Sequence, residues 1–178
     1  MSVSINAYGV LFCELVRTVQ SSVSRADDLM DRLEAIGFPI GSKLIESVVH
    51  KHLKDKRPLL HSQALQAVLK AWKVYFGHSI VLMHSMIKGE RKPFEFVIKD
   101  PLPLVSTYYS TPPELRDSSG SDLLRVTSFM GGIIKGMLTT LGFPCTIRTG
   151  HKPTTEHPQQ TLYQVTFENS VKDREESL

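Results

Sequence analysis

The stretch Phe129-Met130-Gly131-Gly132-Ile133-Ile134-Lys135-Gly136-Met137-Leu138 places three glycines inside a pattern that is typical of an amphipathic helix. Each interior glycine costs a helix about 1 kcal/mol relative to alanine, so some other contact must offset about 3 kcal/mol here. The apolar residues of this helix recur at helical spacing and predict one stripe that faces a core: Met130, Ile133, Ile134, Met137 and Leu141.

Gly132 and Gly136 lie nearly opposite the stripe, in line with Ser128 and close to Thr139. Two interpretations are open for them. Either the glycines face solvent, or the missing side chains allow another element to approach closely. We favour the second and take Ser128, Gly132 and Gly136 as candidate close-packing positions. The sequence does not decide whether the neighbouring element belongs to the same domain or to a partner.

The composition predicts one globular domain spanning residues 1–178, since 41% of the residues are hydrophobic. A net charge of +3 is weaker than the basic excess of most nucleic-acid-binding proteins. Two cysteines in apolar surroundings cannot form a disulfide framework, which favours a reducing, cytoplasmic location. No secretory signal and no membrane-spanning stretch is visible, so we expect any membrane contact to be peripheral.

Four N-terminal helices are predicted from apolar spacing and from residues typical of helix ends. Gly37 is expected to end the second helix, and Pro39 with Gly41 to begin the third. The four predicted helices run over residues 4–22, 24–36, 39–49 and 62–76.

The pattern after residue 76 changes to alternating apolar residues that predict strands. Four strands are expected at 80–83, 94–98, 143–148 and 162–167, with the glycine-containing helix at 122–141. The remainder is expected to be a short extended piece at 105–109, polar loops at 112–121 and 149–160, and a flexible charged tail at 172–178. The predicted fold class is therefore α+β, with helices packed on a four-stranded antiparallel sheet.

No motif for catalysis or cofactor binding is present. Phosphate-binding loops and a nucleophile motif are missing, and the seven histidines show no metal-ligand spacing. We therefore expect no catalytic, cofactor-binding or metal-binding residues. One basic cluster, Lys51, Lys54, Lys56 and Arg57, forms a candidate basic surface. It is either a solvated loop or a site at which each charge adds about 1 kcal/mol of attraction to anionic lipid.

Several short segments, taken together and in order, resemble the small core subunits of TRAPP, the cytosolic tethering complex of early secretory traffic. They cover most of residues 3–168. The segments are Val3-Ser4, Ala7-Tyr8, Leu11-Phe12-Cys13-Glu14-Leu15-Val16, Gln20-Ser21, Leu33-x-x-Ile36-Gly37, Gly41-x-x-Leu44, Trp72-Lys73, Phe76-Gly77, Asp100-Pro101-Leu102, Ser106-Thr107-Tyr108, Ser128-Phe129, Gly132-Ile133 and Gly142-Phe143-Pro144.

This resemblance implies a non-catalytic scaffold subunit. Members of the family form heterodimers largely through their N-terminal helices, here with a subunit-3-like paralogue, and then join further neighbours such as a subunit-2-like protein. The assembled core is a guanine-nucleotide exchange factor for a Rab GTPase in transport from the endoplasmic reticulum to the Golgi. The expected location is therefore cytoplasmic, peripheral at endoplasmic-reticulum and cis-Golgi membranes. The candidate partner interface on the first helix is Leu11, Leu15, Val16 and Val19.

The chain departs from the subunit-3 relatives of this family at one place. Those relatives carry a fatty-acyl chain on a cysteine shortly before the fourth predicted helix, whereas residues 56–63 here contain no cysteine. The same superfamily resemblance extends to haem-based and other small-molecule sensors. In that alternative, Met130, Ile133 and Met137 line a ligand pocket instead of a filled core.

Overall fold

The computed structural model describes residues 5–23, 25–54, 56–87, 90–105 and 123–177, and confirms the α+β class with helices on a four-stranded antiparallel sheet. Five helices and four strands have both ends within the described residues. In chain order they are α1 (Ile5–Ser21), α2 (Ala26–His52), α3 (His61–Phe76), β1 (Val81–Ile87), β2 (Glu90–Asp100), α4 (Leu123–Thr140), β3 (Cys145–His151), β4 (Thr161–Phe167) and α5 (Asn169–Glu176).

The sheet has the strand order β1-β2-β4-β3, and every neighbouring pair is antiparallel. The two central strands align Phe96 with Val165 and Ile98 with Tyr163. These four side chains are buried, so they form the inner row of the sheet. Because side chains alternate across a strand, one face of the sheet carries the core while residues such as Val81 and Met83 remain on the other side.

The division of residues 24–49 into two helices was a wrong prediction. A single helix, α2, runs from Ala26 to His52 and contains Pro39 in its interior. Gly37 and Gly41 do not end or begin a helix, because both lie in the interior of α2. Both are also buried. Sequence rules read glycine and proline as boundary signals, whereas tertiary packing gives these two glycines another role.

The helices α2 and α4 cross with their backbones in contact. A Cβ atom on Gly132 would lie less than 3.0 Å from the carbonyl oxygen of Glu34, and one on Gly136 would lie equally close to that of Phe38. The reverse contacts join Gly37 to Phe129 and Gly41 to Ile133 in the same way. Real Cβ atoms do not approach this closely, so only glycine fits at the four positions.

The contacting residues increase together along both helices, so α2 and α4 cross in a parallel sense. Each carbonyl oxygen lies where a glycine α-hydrogen points, which is the arrangement of Cα–H···O contacts at close helix interfaces. At the flank of the crossing, Lys135 Nζ donates to Glu34 Oε1 at 2.5 Å. The hydroxyl of Ser42 lies 3.5 Å from the Gly136 carbonyl oxygen.

The remaining sides of α4 face the core and the sheet. The predicted apolar stripe is buried throughout, and Gly131 packs against methyl groups of Ile147 and Thr149 on β3. Helix α4 is therefore enclosed between α2 and the sheet.

Two further expectations differ from the structure or fall outside it. Residues 172–176, expected to be part of a flexible tail, belong to helix α5, whose Val171 is buried. Their charged side chains make specific polar contacts, which composition does not reveal. Val105, the first residue of the predicted extended piece at 105–109, is helical instead of extended, and residues 106–109 and the polar loop at 112–121 lie outside the described residues.

Replacing Gly132 by alanine is expected to reduce the free energy of unfolding by about 3 kcal/mol or more, because the new methyl group overlaps the backbone of α2. Gly131→Ala is the matched control in the same helix. Its methyl would meet only side-chain methyls at 3.2 and 3.4 Å, so a neutral change or a gain of up to about 1 kcal/mol is expected. Urea unfolding of the two variants measures both changes in the free energy of unfolding. Equal changes in the two variants would contradict the close backbone contact between α2 and α4.

Candidate interaction surfaces

Helix α1 presents one side to the core and leaves the other exposed. Its buried row is Phe12, Val16 and Val19, and the Phe12 ring lies 5.3 Å from that of Phe129 on α4. Val16 and Val19 therefore belong to the chain's own core, which corrects their assignment to a partner-facing set. They lie on the same helical face as Phe12, whereas Leu11 is rotated by about 100° from it.

Leu11 and Leu15 are the members of the predicted interface that keep accessible area. Leu11 is 71% exposed and its neighbour Val10 is 72% exposed, while Leu15 is partly buried against the core. Adjacent, strongly exposed apolar residues on a helix are a feature of protein interaction sites. Contact of this face with a partner remains a prediction.

The four residues of the candidate basic surface are all exposed. Lys51 lies in the last turn of α2, and the other three follow in the connection to α3. The backbone reverses at Lys54, whose φ of 50° lies in the left-handed region. The fold also brings Lys70 and Lys73 of α3 to this side, and Lys70 Nζ donates to the His52 carbonyl oxygen at 3.4 Å.

A buried polar network joins the end of α3 to the end of β2. The Trp72 indole N–H donates to His78 Nε2 at 3.2 Å, and this nitrogen lies 2.8 Å from Asp100 Oδ1. The Leu102 backbone N–H donates to the same carboxyl oxygen at 3.1 Å. Burial raises the pKa of Asp100 above its ordinary value, although the neighbouring His78 acts in the opposite direction. Asp100 is fully buried, so its carboxyl group has no contact with solvent.

The C-terminal helix is held by contacts to two other parts of the fold, the start of α3 and the segment between α4 and β3. Glu175 accepts a hydrogen bond from the backbone N–H of His61 at 2.5 Å, and its second oxygen lies 2.6 Å from His61 Nδ1. This carboxylate thus occupies the N-terminus of α3, where a negative charge is favourable. Arg174 donates to the Gly142 carbonyl oxygen and lies over the Phe143 ring. Sequence reasoning missed these contacts because their partners are distant along the chain.

The cysteines differ in their surroundings. Cys145 is buried on β3, and burial raises the pKa of its thiol to about 12, so it stays protonated at neutral pH. Cys13 lies half-buried on α1. Among the described residues, no three histidine, cysteine or acidic side chains converge as a metal site. No described helix has both the length and the apolar composition needed to cross a bilayer.

The pocket expected in the sensor alternative is occupied by packing. Met130, Ile133 and Met137 are at most 2% exposed and belong to the core. Four grooves in the described part of the chain are lined by other residues. These three residues therefore fill the core and line none of the four grooves.

Replacing Asp100 by asparagine is expected to change the free energy of unfolding in a pH-dependent way. The value of the variant minus that of wild type should increase as the pH rises from about 4, the ordinary range of a carboxyl group. The pKa of Asp100 is higher in the folded than in the unfolded protein, so above about pH 4 the unfolded state loses its proton first. This stabilises the unfolded state and lowers the free energy of unfolding of the wild-type protein as the pH rises through this range. Urea unfolding at several pH values measures the difference. The exposed Asp173→Asn is the control, and a difference between Asp100→Asn and wild type that does not change with pH would refute the assignment.

Replacing Glu175 by alanine is expected to reduce the free energy of unfolding by about 1 to 2 kcal/mol, because the part-buried backbone N–H and the imidazole of His61, at the start of α3, lose their carboxylate partner. Hydrogen exchange should increase in α5 first. The neighbouring exposed Glu176→Ala is the matched control and should leave both quantities unchanged. Equal rates of hydrogen exchange in α5 of the two variants would show that the Glu175 contact does not stabilise this helix.

Comparison with known proteins places the chain among trafficking components. The family model described as "Transport protein particle (TRAPP) component" matches residues 8–168. The human protein "Trafficking protein particle complex subunit 5" is 32% identical over 177 residues, covering 99% of this chain and 86% of the relative. The Dictyostelium discoideum protein of the same name is 25% identical, with 97% and 89% covered.

A solved structure shares the fold at low sequence identity. It is the crystal structure of a trafficking protein particle complex subunit 3 from Naegleria fowleri, covalently bound to palmitic acid. The TM-score is 0.65 at 16% identity, with 92% of this chain and 95% of that chain covered. The match of the family model over most of the chain, together with a relative that is 32% identical over 99% of this chain, shows that this chain belongs to the TRAPP component family.

Proposed function

We propose that this protein is a non-catalytic core subunit of a TRAPP complex and fills the position of subunit 5. The observation that carries the proposal is the 32% identity to human subunit 5 over nearly the whole chain. The enclosed glycine crossing and the exposed apolar side of α1 suit a rigid building block with a free contact surface. In this role the chain supports nucleotide exchange on a Rab GTPase by the assembled complex in endoplasmic-reticulum-to-Golgi transport.

The proposed partner is a subunit-3-like paralogue that packs on the exposed side of α1. We propose Leu11 and Leu15 as the contact residues, because Val16 and Val19 are buried in the core of this chain. Apolar residues at the centre of an obligate interface contribute most of its stability. A subunit-2-like neighbour would bind elsewhere, and the complex as a whole would lie peripherally at endoplasmic-reticulum and cis-Golgi membranes.

Affinity capture of the tagged protein tests the proposal, with identification of the chains that co-purify. Other TRAPP subunits, a subunit-3-like paralogue among them, are expected. Purification with no TRAPP subunit would refute the assignment. The complex reconstituted with the chain should exchange Rab nucleotide faster than the same complex without it, while the isolated chain should show no exchange.

Leu11→Glu tests the proposed contact surface without disturbing the core, because Leu11 is 71% exposed. Affinity for the subunit-3-like partner is expected to fall at least tenfold, measured by calorimetry or size exclusion. Leu102→Glu, also an exposed leucine at 56%, is the matched control and should bind as wild type. Unchanged binding of Leu11→Glu would place the interface on another side of the molecule.

A further inference from the structure

The buried carboxyl group at the corner where α3 and β2 end has neighbours that decide its protonation. Asp100 is fully buried, whereas the side chain of His78 keeps 20% of its area accessible. Asp100 Oδ1 accepts from the Leu102 backbone N–H, but Asp100 Oδ2 is buried with no hydrogen-bond partner among the described residues. A carboxylate buried with one oxygen unpaired is costly, so this site favours the neutral acid.

Two groups with fixed roles select the tautomer of the His78 ring. Nδ1 lies 3.3 Å from the carbonyl oxygen of Phe76, which can only accept a hydrogen bond. Nε2 lies 3.2 Å from the indole nitrogen of Trp72, whose N–H can only donate. Both contacts are satisfied together when Nδ1 carries the hydrogen and Nε2 carries the lone pair.

This tautomer requires a hydrogen on the carboxyl group. His78 Nε2 and Asp100 Oδ1 are 2.8 Å apart, a hydrogen-bond distance at which one of the two atoms must donate. Since Nε2 accepts, the donor is Asp100, and the Nε2 lone pair receives a short bond from the carboxyl group and a longer one from the indole. A doubly protonated ring would instead point its Nε2–H at the Trp72 N–H. The Nε2–H tautomer would do the same and would also turn the Nδ1 lone pair toward the Phe76 carbonyl oxygen.

The ionisable groups of the surrounding elements do not change this assignment. A positive charge on His78 would lower the pKa of Asp100, but burial outweighs it and raises the pKa. Lys99 precedes Asp100 on β2 and therefore points to the opposite face of the sheet, and Lys73 on α3 is exposed. Tyr163 on β4 shares the inner face with Asp100 and adds a phenol, not a cation. Of these four groups, only His78 could balance a charge on Asp100.

We propose that Asp100 is a neutral acid at neutral pH, donates its hydrogen to His78 Nε2, and through this proton forms a latch between the end of α3 and the end of β2. With the proton in place, a chain of hydrogen bonds runs from the Phe76 carbonyl oxygen through His78 and Asp100 to the Leu102 N–H. The inference concerns one chain and needs no partner subunit. Recovery of TRAPP subunits with the tagged protein does not depend on its outcome, so it and the proposed function fail independently.

Alkaline pH is expected to open this latch. The proton leaves to solvent at the accessible edge of His78, and a carboxylate then faces the Nε2 lone pair. The bond between the two side chains is restored only when the ring hydrogen moves from Nδ1 to Nε2. That move gives up the contacts with Phe76 and Trp72, so the end of α3 is released.

Infrared and NMR spectra of the full chain at neutral pH test the protonation state. A carboxylic-acid C=O band is expected in wild type and should be lost in Asp100→Asn, whereas the exposed Asp173→Asn should keep it. With isotope-labelled histidine, the His78 ring should carry hydrogen on Nδ1 alone. Its signals are identified by their proximity to the indole N–H of Trp72, the single tryptophan of the chain. An ionised Asp100, a doubly protonated His78 or an Nε2–H tautomer would each overturn the proposal.

Titration from neutral to alkaline pH tests the latch. The fluorescence of Trp72 and the chemical shift of its indole N–H should show a transition in wild type before the protein unfolds. Asp100→Asn should lose this transition, because an amide has no proton to release in this range. Tyr163→Phe should keep it, which separates the carboxyl group from the nearby phenol. The absence of a transition in wild type, or a transition that persists in Asp100→Asn and is lost in Tyr163→Phe, would overturn the latch.

Discussion

The contact of glycine α-carbons with carbonyl oxygens between α2 and α4 is the constraint on which the rest of the fold depends. Four glycines, two on each helix and four residues apart, allow the backbones to meet with no side chain between them. Such close approach gains dispersion contacts and Cα–H···O contacts that bulkier residues would prevent. These gains offset the helix-propensity cost of the glycines, which is about 1 kcal/mol each.

The crossing also explains the continuity of α2 and the position of α4. Pro39 removes one helical hydrogen bond and costs an interior helix position about 3 kcal/mol, yet α2 continues through it. The residues on either side of Pro39 are those that contact α4, so tertiary packing holds the helix together at its weakest point. With one side taken by α2, helix α4 presents its apolar stripe to the remaining core and its Gly131 side to β3.

Much of the architecture follows from sequence periodicity, since burial repeats at 3.6 residues in helices and at two in strands. The stripe from Met130 to Leu141 and the four strands are recognisable in this way, and the order of elements gives the fold class. Gly37 and Pro39 were misread because the same residues serve as boundary signals and as close-packing devices. Only the facing helix, about 95 residues away, distinguishes the two roles. The contact of Glu175 with His61 and the addition of Lys70 to the basic surface are also long-range features without a local signal. Val16 was predicted to face a partner because the apolar spacing of α1 predicts a buried face. The spacing does not show whether the chain's own core or another subunit buries that face.

Native-state hydrogen exchange tests most directly the claim that the glycine crossing holds the fold together. The backbone amides of residues 34–41, except Pro39, which has none, and of residues 129–136 should exchange only through global unfolding. Their common free energy of exchange should equal the free energy of unfolding measured with urea. This common behaviour is expected despite the interior proline. Exchange of residues 34–41 at a distinctly lower free energy than residues 129–136 would show that α2 opens independently, and would contradict the account.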